Sequence, residues 1–250
     1  MGLDTRAKLF LVLSGVFVTC LLVGDIIGGK LVQTSIAGYP FTVTVGMIPF
    51  PVTFLLTDLL NEFYGQRAAR SVTWLGFAMA VLAYSFIFIA ASIPIASLTQ
   101  AADWSGVTEE AFQRVFVSSR RMIVASLTAY LVSQFVDIWI FHVLKRVTSN
   151  RWLWLRATGS TAISQLVDTI TINFAAWSGI LSVAQILNVI GSAYVLKILI
   201  AIGLTPLIYA GHALIERVLE LQPVPIAAQG GAQPALAENL ASEVQSVDQR

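Results

Sequence analysis

The chain has 250 residues, of which 56% are hydrophobic and only 12% are charged, and its mean hydropathy is +0.78. A soluble domain carries about 25% charged residues, so this composition indicates a membrane protein. Fifteen basic and fourteen acidic residues leave a net charge of +1, which gives no basis for a nucleic-acid partner. The single cysteine, Cys20, excludes a disulfide within the chain.

Six apolar segments follow one another along the chain, and a helix needs about 20 mainly apolar residues to cross roughly 30 Å of hydrocarbon. The predicted transmembrane helices cover residues 9–28, about 47–64, 72–95, 121–144, 157–180 and 186–216. Pro49 and Pro51 leave the second of them short. Residues 30–46, which precede it, alternate in β fashion on either side of residues 37–40 and predict a short β-hairpin or an extended excursion.

Basic residues near the ends of the predicted helices indicate the orientation. One side carries Arg6, Lys8, Arg67, Arg70, Lys145, Arg146, Arg151, Arg156 and Arg217. The other side has fewer basic residues, and Asp103, Glu109 and Glu110 partly offset them. The positive-inside rule therefore predicts that both termini lie in the cytoplasm. Residues 1–220 are predicted to form one membrane domain, and residues 221–250, rich in Ala, Gln and Pro, a disordered cytoplasmic tail.

Several ionisable residues fall inside the predicted helices. They are Asp25, Asp58, Glu62, Asp137, Asp168 and Lys197. A carboxylate or lysine at the centre of a membrane helix costs about 2.5–3.5 kcal/mol, whereas one Leu or Ile contributes only about 0.3–0.6 kcal/mol. These side chains must therefore face the interior of the bundle, pair with one another or line a wet cavity. Lys197 can neutralise only one of the acids, so the others need Arg121, Arg156, a proton, a cation or a ligand.

A short sequence pattern occurs twice. Ser-Gln-Phe-Val-Asp begins at Ser133 and Ser-Gln-Leu-Val-Asp begins at Ser164, so four of the five positions are identical. Residues three apart lie on one helix face, which places each glutamine beside its aspartate. The repeat predicts equivalent sites on neighbouring helices. A purely structural role is the alternative, in which Gln134 and Gln165 form hydrogen bonds that hold helices together.

Carboxylates, amides and aromatic rings in one region favour a planar heterocyclic ligand with adjacent N–H donors. A carboxylate accepts two parallel hydrogen bonds, an amide offers an acceptor and two donors, and an aromatic face stacks on the ring. The aromatic residues near these polar side chains are Phe63, Tyr64, Trp139, Phe141, Phe174 and Trp177. His142 and His212 lack metal-ligand spacing, and no Ser-His or Cys-His arrangement is evident. We therefore predict no cofactor, no metal and no enzyme activity.

Three segments place these polar residues on an apolar background. They are FPVTFLLTDLLNEFYG (50–65), RRMIVASLTAYLVSQFVDIWIFHVLKR (120–146) and WLRATGSTAISQLVDTITI (154–172). Together they resemble the bacterial queuosine precursor transporter family, also called vitamin uptake transporters, over about residues 10–216. The resemblance implies import across the bacterial cytoplasmic (inner) membrane of 7-cyano-7-deazaguanine or 7-aminomethyl-7-deazaguanine, from which cells make the queuosine of tRNA. It also implies an all-α fold of six transmembrane helices, similar to the substrate-binding subunits of energy-coupling vitamin transporters.

The resemblance also implies which residues meet the substrate. The family pattern falls on Asp58, Asn61, Glu62, Tyr64, Gly65, Arg121, Ser126, Gln134, Asp137, Arg156, Ser164, Gln165 and Asp168. A deazaguanine has adjacent N–H and NH₂ donors for a carboxylate, and a carbonyl acceptor for an amide. The predicted substrate-binding residues are Asp58, Asn61, Glu62, Gln134, Asp137, Trp139, Gln165, Asp168, Asn173 and Trp177. The residues predicted to form supporting ion pairs are Asp25, Arg121, Arg156 and Lys197.

Several alternatives stay open at the level of sequence. The chain could import its substrate by itself, serve as a vitamin-binding membrane subunit that needs a separate energising partner, or act as a membrane enzyme or scaffold. The residues do not decide between the cyano and aminomethyl precursors, or between a driving ion and facilitated diffusion. Gly24 and Gly28 permit a close helix contact, so a homodimer is compatible with the sequence but not required by it.

Overall fold

The computed structural model describes residues 4–28, 30–36, 39–97, 105–117, 120–149 and 151–225. The helices of this part are α1 (Thr5–Ile27), α2 (Phe50–Phe63), α3 (Gly65–Ser92), α4 (Glu109–Phe116), α5 (Arg120–Val147), α6 (Leu153–Trp177) and α7 (Val183–Val218). Between α1 and α2 lie β1 (Leu31–Ile36), β2 (Tyr39–Thr44) and a 3₁₀ turn (Val45–Met47). The two strands pair antiparallel, from Leu31 opposite Thr44 to Ile36 opposite Tyr39.

The predicted count of six transmembrane helices is wrong. The described residues form seven α-helices, of which four are long and apolar enough to cross a membrane: Thr5–Ile27, Gly65–Ser92, Ile123–Val147 and Val183–Val218. α2 has only 14 residues, which span about 21 Å at 1.5 Å per residue and fall short of the hydrocarbon thickness. α6 has 25 residues, but its serines, threonines and charged side chains lower its hydropathy. The prediction counted every apolar run as a transmembrane helix. α2 and α6 direct polar side chains towards other helices, so they do not have the length or the hydropathy of a lipid-facing helix.

α2 lies at the centre of the fold. It packs against α1, α3, α5 and α7, and residues 56–63 are all buried. Its leucines and Phe63 form a hydrophobic core with Phe17 of α1 and Tyr130 of α5. The surrounding helices therefore keep the acidic and amide side chains of α2 away from lipid, which allows a short polar helix to lie at membrane depth.

The outer surface of the bundle is strongly apolar. Large hydrophobic side chains project outward from α1, α3 and α7, among them Leu11, Phe86 and Leu199, each more than half exposed. An apolar surface of this extent is unfavourable in water and suits the hydrocarbon of a bilayer. Together with the four long apolar helices, it identifies a multi-pass membrane protein.

The 3₁₀ turn after β2 packs directly on the end of α1. A Cβ atom at Gly46 would lie 2.5 Å from the carbonyl oxygen of Gly24 and 3.1 Å from the Cα atom of Gly28. Such an approach is possible only without a side chain at this position. The small residues of α1 therefore make their close contact within the chain, and this contact holds the turn against α1.

The chain returns to the bundle after α7. Leu221 packs against the core around α2, and the backbone N–H of Val224 donates to the carbonyl oxygen of Glu62 at 3.0 Å. The predicted tail begins at residue 221, so its first residues lie against the helices. The remainder of that prediction, residues 226–250, lies outside the described residues.

Candidate functional site

A cavity of about 520 Å³ lies between α1, α5, α6 and α7. Its volume falls within the range of about 300–1,000 Å³ that is typical of small-molecule sites. The 3₁₀ turn, the first half of α2, Tyr84 and Ile87 of α3 and the end of α4 complete its wall. The polar side chains that α1, α5, α6 and α7 contribute to the lining include Asp25, Ser126, Ser133, Gln134, Asp137, Thr161, Ser164, Gln165, Asp168 and Lys197.

The two copies of the Ser-Gln-x-Val-Asp pattern face each other across α5 and α6. The Ser133 hydroxyl donates to Asp168 Oδ1 at 3.3 Å, and the Ser164 hydroxyl donates to Asp137 Oδ1 at 3.0 Å. Each serine thus binds the aspartate of the other copy, as expected for equivalent segments of antiparallel helices related by a local two-fold axis. The two copies therefore lie opposite each other on neighbouring helices.

Lys197 of α7 breaks this local symmetry. Its Nζ atom lies 2.7 Å from Asp168 Oδ2 and 3.3 Å from Thr169 Oγ1, and both members of the ion pair are partly buried. In the part of the chain that the structure describes, no basic side chain lies within ion-pair distance of Asp137. One aspartate of the repeat is therefore neutralised by a cation, and the other is held by a hydroxyl.

Glu62 lies outside the cavity lining, at the centre of a buried ion cluster. Its Oε1 atom is 2.7 Å from Arg156 Nη2 and 3.8 Å from His212 Nε2, and its Oε2 atom is 3.1 Å from Lys145 Nζ. The Glu62, Lys145 and Arg156 side chains are at most 2% exposed. Lys145 also donates to the carbonyl oxygen of Val224 at 3.2 Å. The ion cluster and the returning chain together close this end of the bundle.

Sequence reasoning missed two members of the ion cluster, His212 and Lys145. The charge pattern places Lys145 among the basic residues that flank the predicted helices, which treats it as solvated, whereas it is fully buried. Its spacing carried a usable signal, because Phe141 and Lys145 follow Asp137 at successive intervals of four and share its helix face. A lysine on the inward face of α5 therefore needs an internal acid, and Glu62 is that acid.

Asp58 and Asn61 of α2 are buried and are not part of the cavity lining. Their side chains are 1% and 0% exposed, and neither has a hydrogen-bond partner among the described residues. The charged groups that act on Asp58 are Asp137, which lines the cavity, and Glu62 and Arg156, which belong to the ion cluster. Asp58 therefore lies between the cavity and the ion cluster, and neither of these two predicted binding residues lines the cavity.

The cavity brings together only part of the predicted binding set. Its lining includes Gln134, Asp137, Gln165, Asp168 and Trp177. Trp139 is 58% exposed on the outside of the bundle. Asn173 is buried, and its amide donates to the backbone oxygen of Thr169 on its own helix at 2.8 Å. No group of three or more His, Cys, Asp or Glu side chains that could hold a metal ion occurs among the residues described.

Arg121 and Asp25 are held by contacts other than the ion pairs expected from the sequence. Arg121 donates to the backbone oxygens of Ala175 and Ser178, each at 2.7 Å. These atoms lie at the C-terminal end of α6, where a cation stabilises the exposed carbonyl groups. Asp25 accepts a hydrogen bond from the Ser126 hydroxyl at 3.1 Å in the cavity wall. Arg121 therefore ties the start of α5 to the end of α6.

Comparison with known proteins gives consistent matches. A family model described as "Putative vitamin uptake transporter" matches residues 44–211. A "Probable queuosine precursor transporter" of Bacillus subtilis is 33% identical over 178 residues, which make up 71% of this chain and 75% of that protein. The "Queuosine precursor transporter" of Escherichia coli is 33% identical over 147 residues, or 59% of this chain and 61% of that protein.

No solved structure matches the chain, so the expected likeness to the subunits of energy-coupling vitamin transporters gains no support. The family model covers more than half of the chain, including α2, α5 and α6 with both copies of the repeat. These are the helices whose polar residues first suggested the resemblance. The chain therefore belongs to the queuosine precursor transporter family, also known as the vitamin uptake transporters.

Proposed function

We propose that this chain imports queuosine precursors, 7-cyano-7-deazaguanine or 7-aminomethyl-7-deazaguanine, across the bacterial cytoplasmic membrane. The observation that carries the proposal is the reciprocal pairing of the two Ser-Gln-x-Val-Asp segments, which gathers two carboxylates and two amides at one cavity. The names of the Bacillus subtilis and Escherichia coli relatives support this substrate class. Carrying a small molecule through a bilayer requires no catalytic group.

Asp137 is the carboxylate that we assign to the guanine edge of the substrate. The ring presents an N–H and an NH₂ donor side by side, and one carboxylate accepts both. Asp137 receives a serine hydroxyl and no cation among the described residues, whereas Asp168 is engaged by Lys197. The side-chain amides of Gln134 and Gln165 are then placed to donate to the ring carbonyl.

Trp177 is the aromatic residue that we assign to stacking on the heterocycle. Its side chain belongs to the cavity lining at the end of α6, and an indole face stacks well on a planar ring. Trp139 does not share this role, because its side chain projects away from the bundle. The two tryptophans therefore provide a test variant and its control, because Trp177 is proposed to contact the substrate and Trp139 to contact lipid.

The cavity and the ion cluster occupy opposite ends of the central helices. Exposed basic residues flank the ion-cluster end, among them Arg67, Arg146 and Arg151. By the positive-inside rule this end faces the cytoplasm, and both chain termini lie on the same side. Import by alternating access then requires the cavity to close and the ion pairs of Glu62 to separate. Residues 1–220 form the transport domain in this proposal.

Binding of 7-cyano-7-deazaguanine and its aminomethyl form to the detergent-purified protein tests the proposal, with guanine and a vitamin as control ligands. We expect saturable binding of a deazaguanine. Asp137→Asn should weaken it by about tenfold or more, since a hydrogen bond to a charged group contributes roughly 1.5–3 kcal/mol. Trp177→Ala should also weaken binding, and Trp139→Ala should leave it unchanged. Folded protein that binds no deazaguanine would refute the proposal.

Uptake by the purified chain in sealed vesicles separates an importer from a binding subunit that needs a partner. An importer carries labelled substrate into vesicles that contain no other protein. Binding without any uptake or exchange would instead assign the chain to a larger assembly. Gln134→Ala serves as the transport variant, because it removes an amide from the cavity without changing the charge of the interior.

A further inference from the structure

Asp25, Asp137 and Asp168 line the cavity, Glu62 belongs to the ion cluster and Asp58 lies near Asp137 and Glu62; these five carboxylates are not equally provided with partners. Four of them accept a hydrogen bond or an ion pair from a described side chain: Asp25, Glu62, Asp137 and Asp168. Asp58 is the exception. Both of its carboxyl oxygens are fully buried and have no donor among the described residues.

The surroundings of Asp58 oppose a negative charge. Asp137 of α5 and Glu62 of α2 are acidic and oppose the charge, whereas Arg156 of α6 favours it but donates its Nη2 group to Glu62 and forms no hydrogen bond to Asp58. His212 of α7 lies beside Glu62 instead of Asp58, with its Nε2 atom 3.8 Å from Glu62 Oε1. No charged group of the described parts of α1 and α3 acts on Asp58. A buried carboxylate without compensation is strongly unfavourable, and such groups take up a proton instead.

We propose that Asp58 is a proton-binding site that couples import to the proton gradient. It lies between Asp137, which lines the cavity, and the Glu62 ion cluster, which closes the opposite end. With the cluster closed, Asp58 is dry and holds its proton. Separation of the cluster admits water, which stabilises the carboxylate, and the proton leaves towards the cytoplasm. This inference rests on the proposed function, because it names the ion that drives the same import.

Accumulation of labelled 7-cyano-7-deazaguanine in liposomes tests the inference. The protein is reconstituted alone, the membrane voltage is held at zero, and the outside is made one pH unit more acidic than the inside. One proton carried with each neutral substrate gives about tenfold accumulation per pH unit. Asp58→Asn, which has the shape of the neutral acid, should retain binding and gradient-free exchange but lose the accumulation. Glu110→Gln, an exposed acid of α4, is the matched control and should accumulate as the unaltered protein does.

The possible outcomes distinguish failure of the proton site from failure of the proposed import function. Exchange without any response to the pH gradient would leave import standing and overturn the proton site. Accumulation driven by sodium instead of protons would overturn it too, as would full accumulation by the Asp58→Asn protein. If the unaltered protein neither binds nor exchanges a deazaguanine, the proposed function falls and the inference falls with it.

Discussion

Replacing Glu62 by glutamine should strongly destabilise the protein. Within the described residues Glu62 is the carboxylate that pairs with both Lys145 and Arg156, whose side chains are 0% and 2% exposed. Removing one partner of a buried pair costs about 3–5 kcal/mol, because the remaining charge stays buried without compensation. Two cations lose the same partner here, so we expect the upper end of that range. A loss of about 5 kcal/mol lowers the ratio of folded to unfolded protein by more than about a thousandfold.

Reversible unfolding of the purified protein in mixed micelles measures this loss as a change in the free energy of unfolding. The double variant Glu62→Gln/Lys145→Met removes one of the two stranded cations and keeps most of the side-chain volume. We expect its loss to be about 0.5–3 kcal/mol smaller than the summed losses of Glu62→Gln and Lys145→Met, the usual coupling between groups in contact. Glu110→Gln is the control, because its pair with Arg114 is exposed and such pairs contribute roughly 0.3–0.5 kcal/mol.

Two results would refute this reasoning. The first is a loss below about 1 kcal/mol for Glu62→Gln, which would place the pair in the range of exposed ion pairs. The second is a double variant whose loss of unfolding free energy equals the sum of the losses for Glu62→Gln and Lys145→Met. Additivity of that kind would mean that Lys145 and Glu62 do not stabilise each other, and the ion cluster could not act as the closed end of the transport path.

Two further predictions concern the cavity. Lys197→Met should strengthen binding of the cationic aminomethyl precursor relative to the cyano form by about tenfold, because Asp168 loses the cation with which it pairs. Competition binding measures the ratio of the two dissociation constants. A ratio that is the same in the variant and the unaltered protein would contradict the prediction. Gly46→Ala should lower the free energy of unfolding by about 1–3 kcal/mol and weaken binding, since the new methyl group would meet the Gly24 carbonyl. Gly203→Ala, where a methyl group meets nothing within 4 Å, is the control for thermal unfolding.

Helix positions followed from the sequence where a helix faces lipid. α1, α3, α5 and α7 carry long apolar runs, and the predicted segments overlap them because the surface that contacts hydrocarbon must be apolar. The predicted segments 47–64 and 157–180 also overlap α2 and α6, but neither helix is among the four that are long and apolar enough to cross a membrane, because α2 is short and wrapped by other helices and α6 faces the cavity. Hydropathy measures contact with lipid, so it says little about helices whose neighbours are protein.

The division of the polar residues into two groups did not follow from the sequence. Asp58 and Glu62 are four residues apart, about 6 Å along α2, and that distance separates the surroundings of the cavity from the ion cluster. Burial could be predicted from the cost of a charge in the membrane, but the partner of each acid depends on the register of α5 against α6 and on α7. The exposure of Trp139 was predictable, because a residue two positions after Asp137 points about 200° away from it.

The broken symmetry of the repeat has a consequence for the proposed transport. Two equal Ser-Gln-x-Val-Asp segments would offer a planar substrate two equivalent orientations. Lys197 neutralises the aspartate of the second segment, whereas no basic side chain of the described residues pairs with the aspartate of the first, so the two halves present different charges to the ring. In the proposed binding mode, a substrate held in one orientation would place its N–H donors at Asp137, the acid near Asp58. The substrate and the proton then bind to two neighbouring carboxylates, Asp137 and Asp58, so a single conformational change can carry both the substrate and the proton.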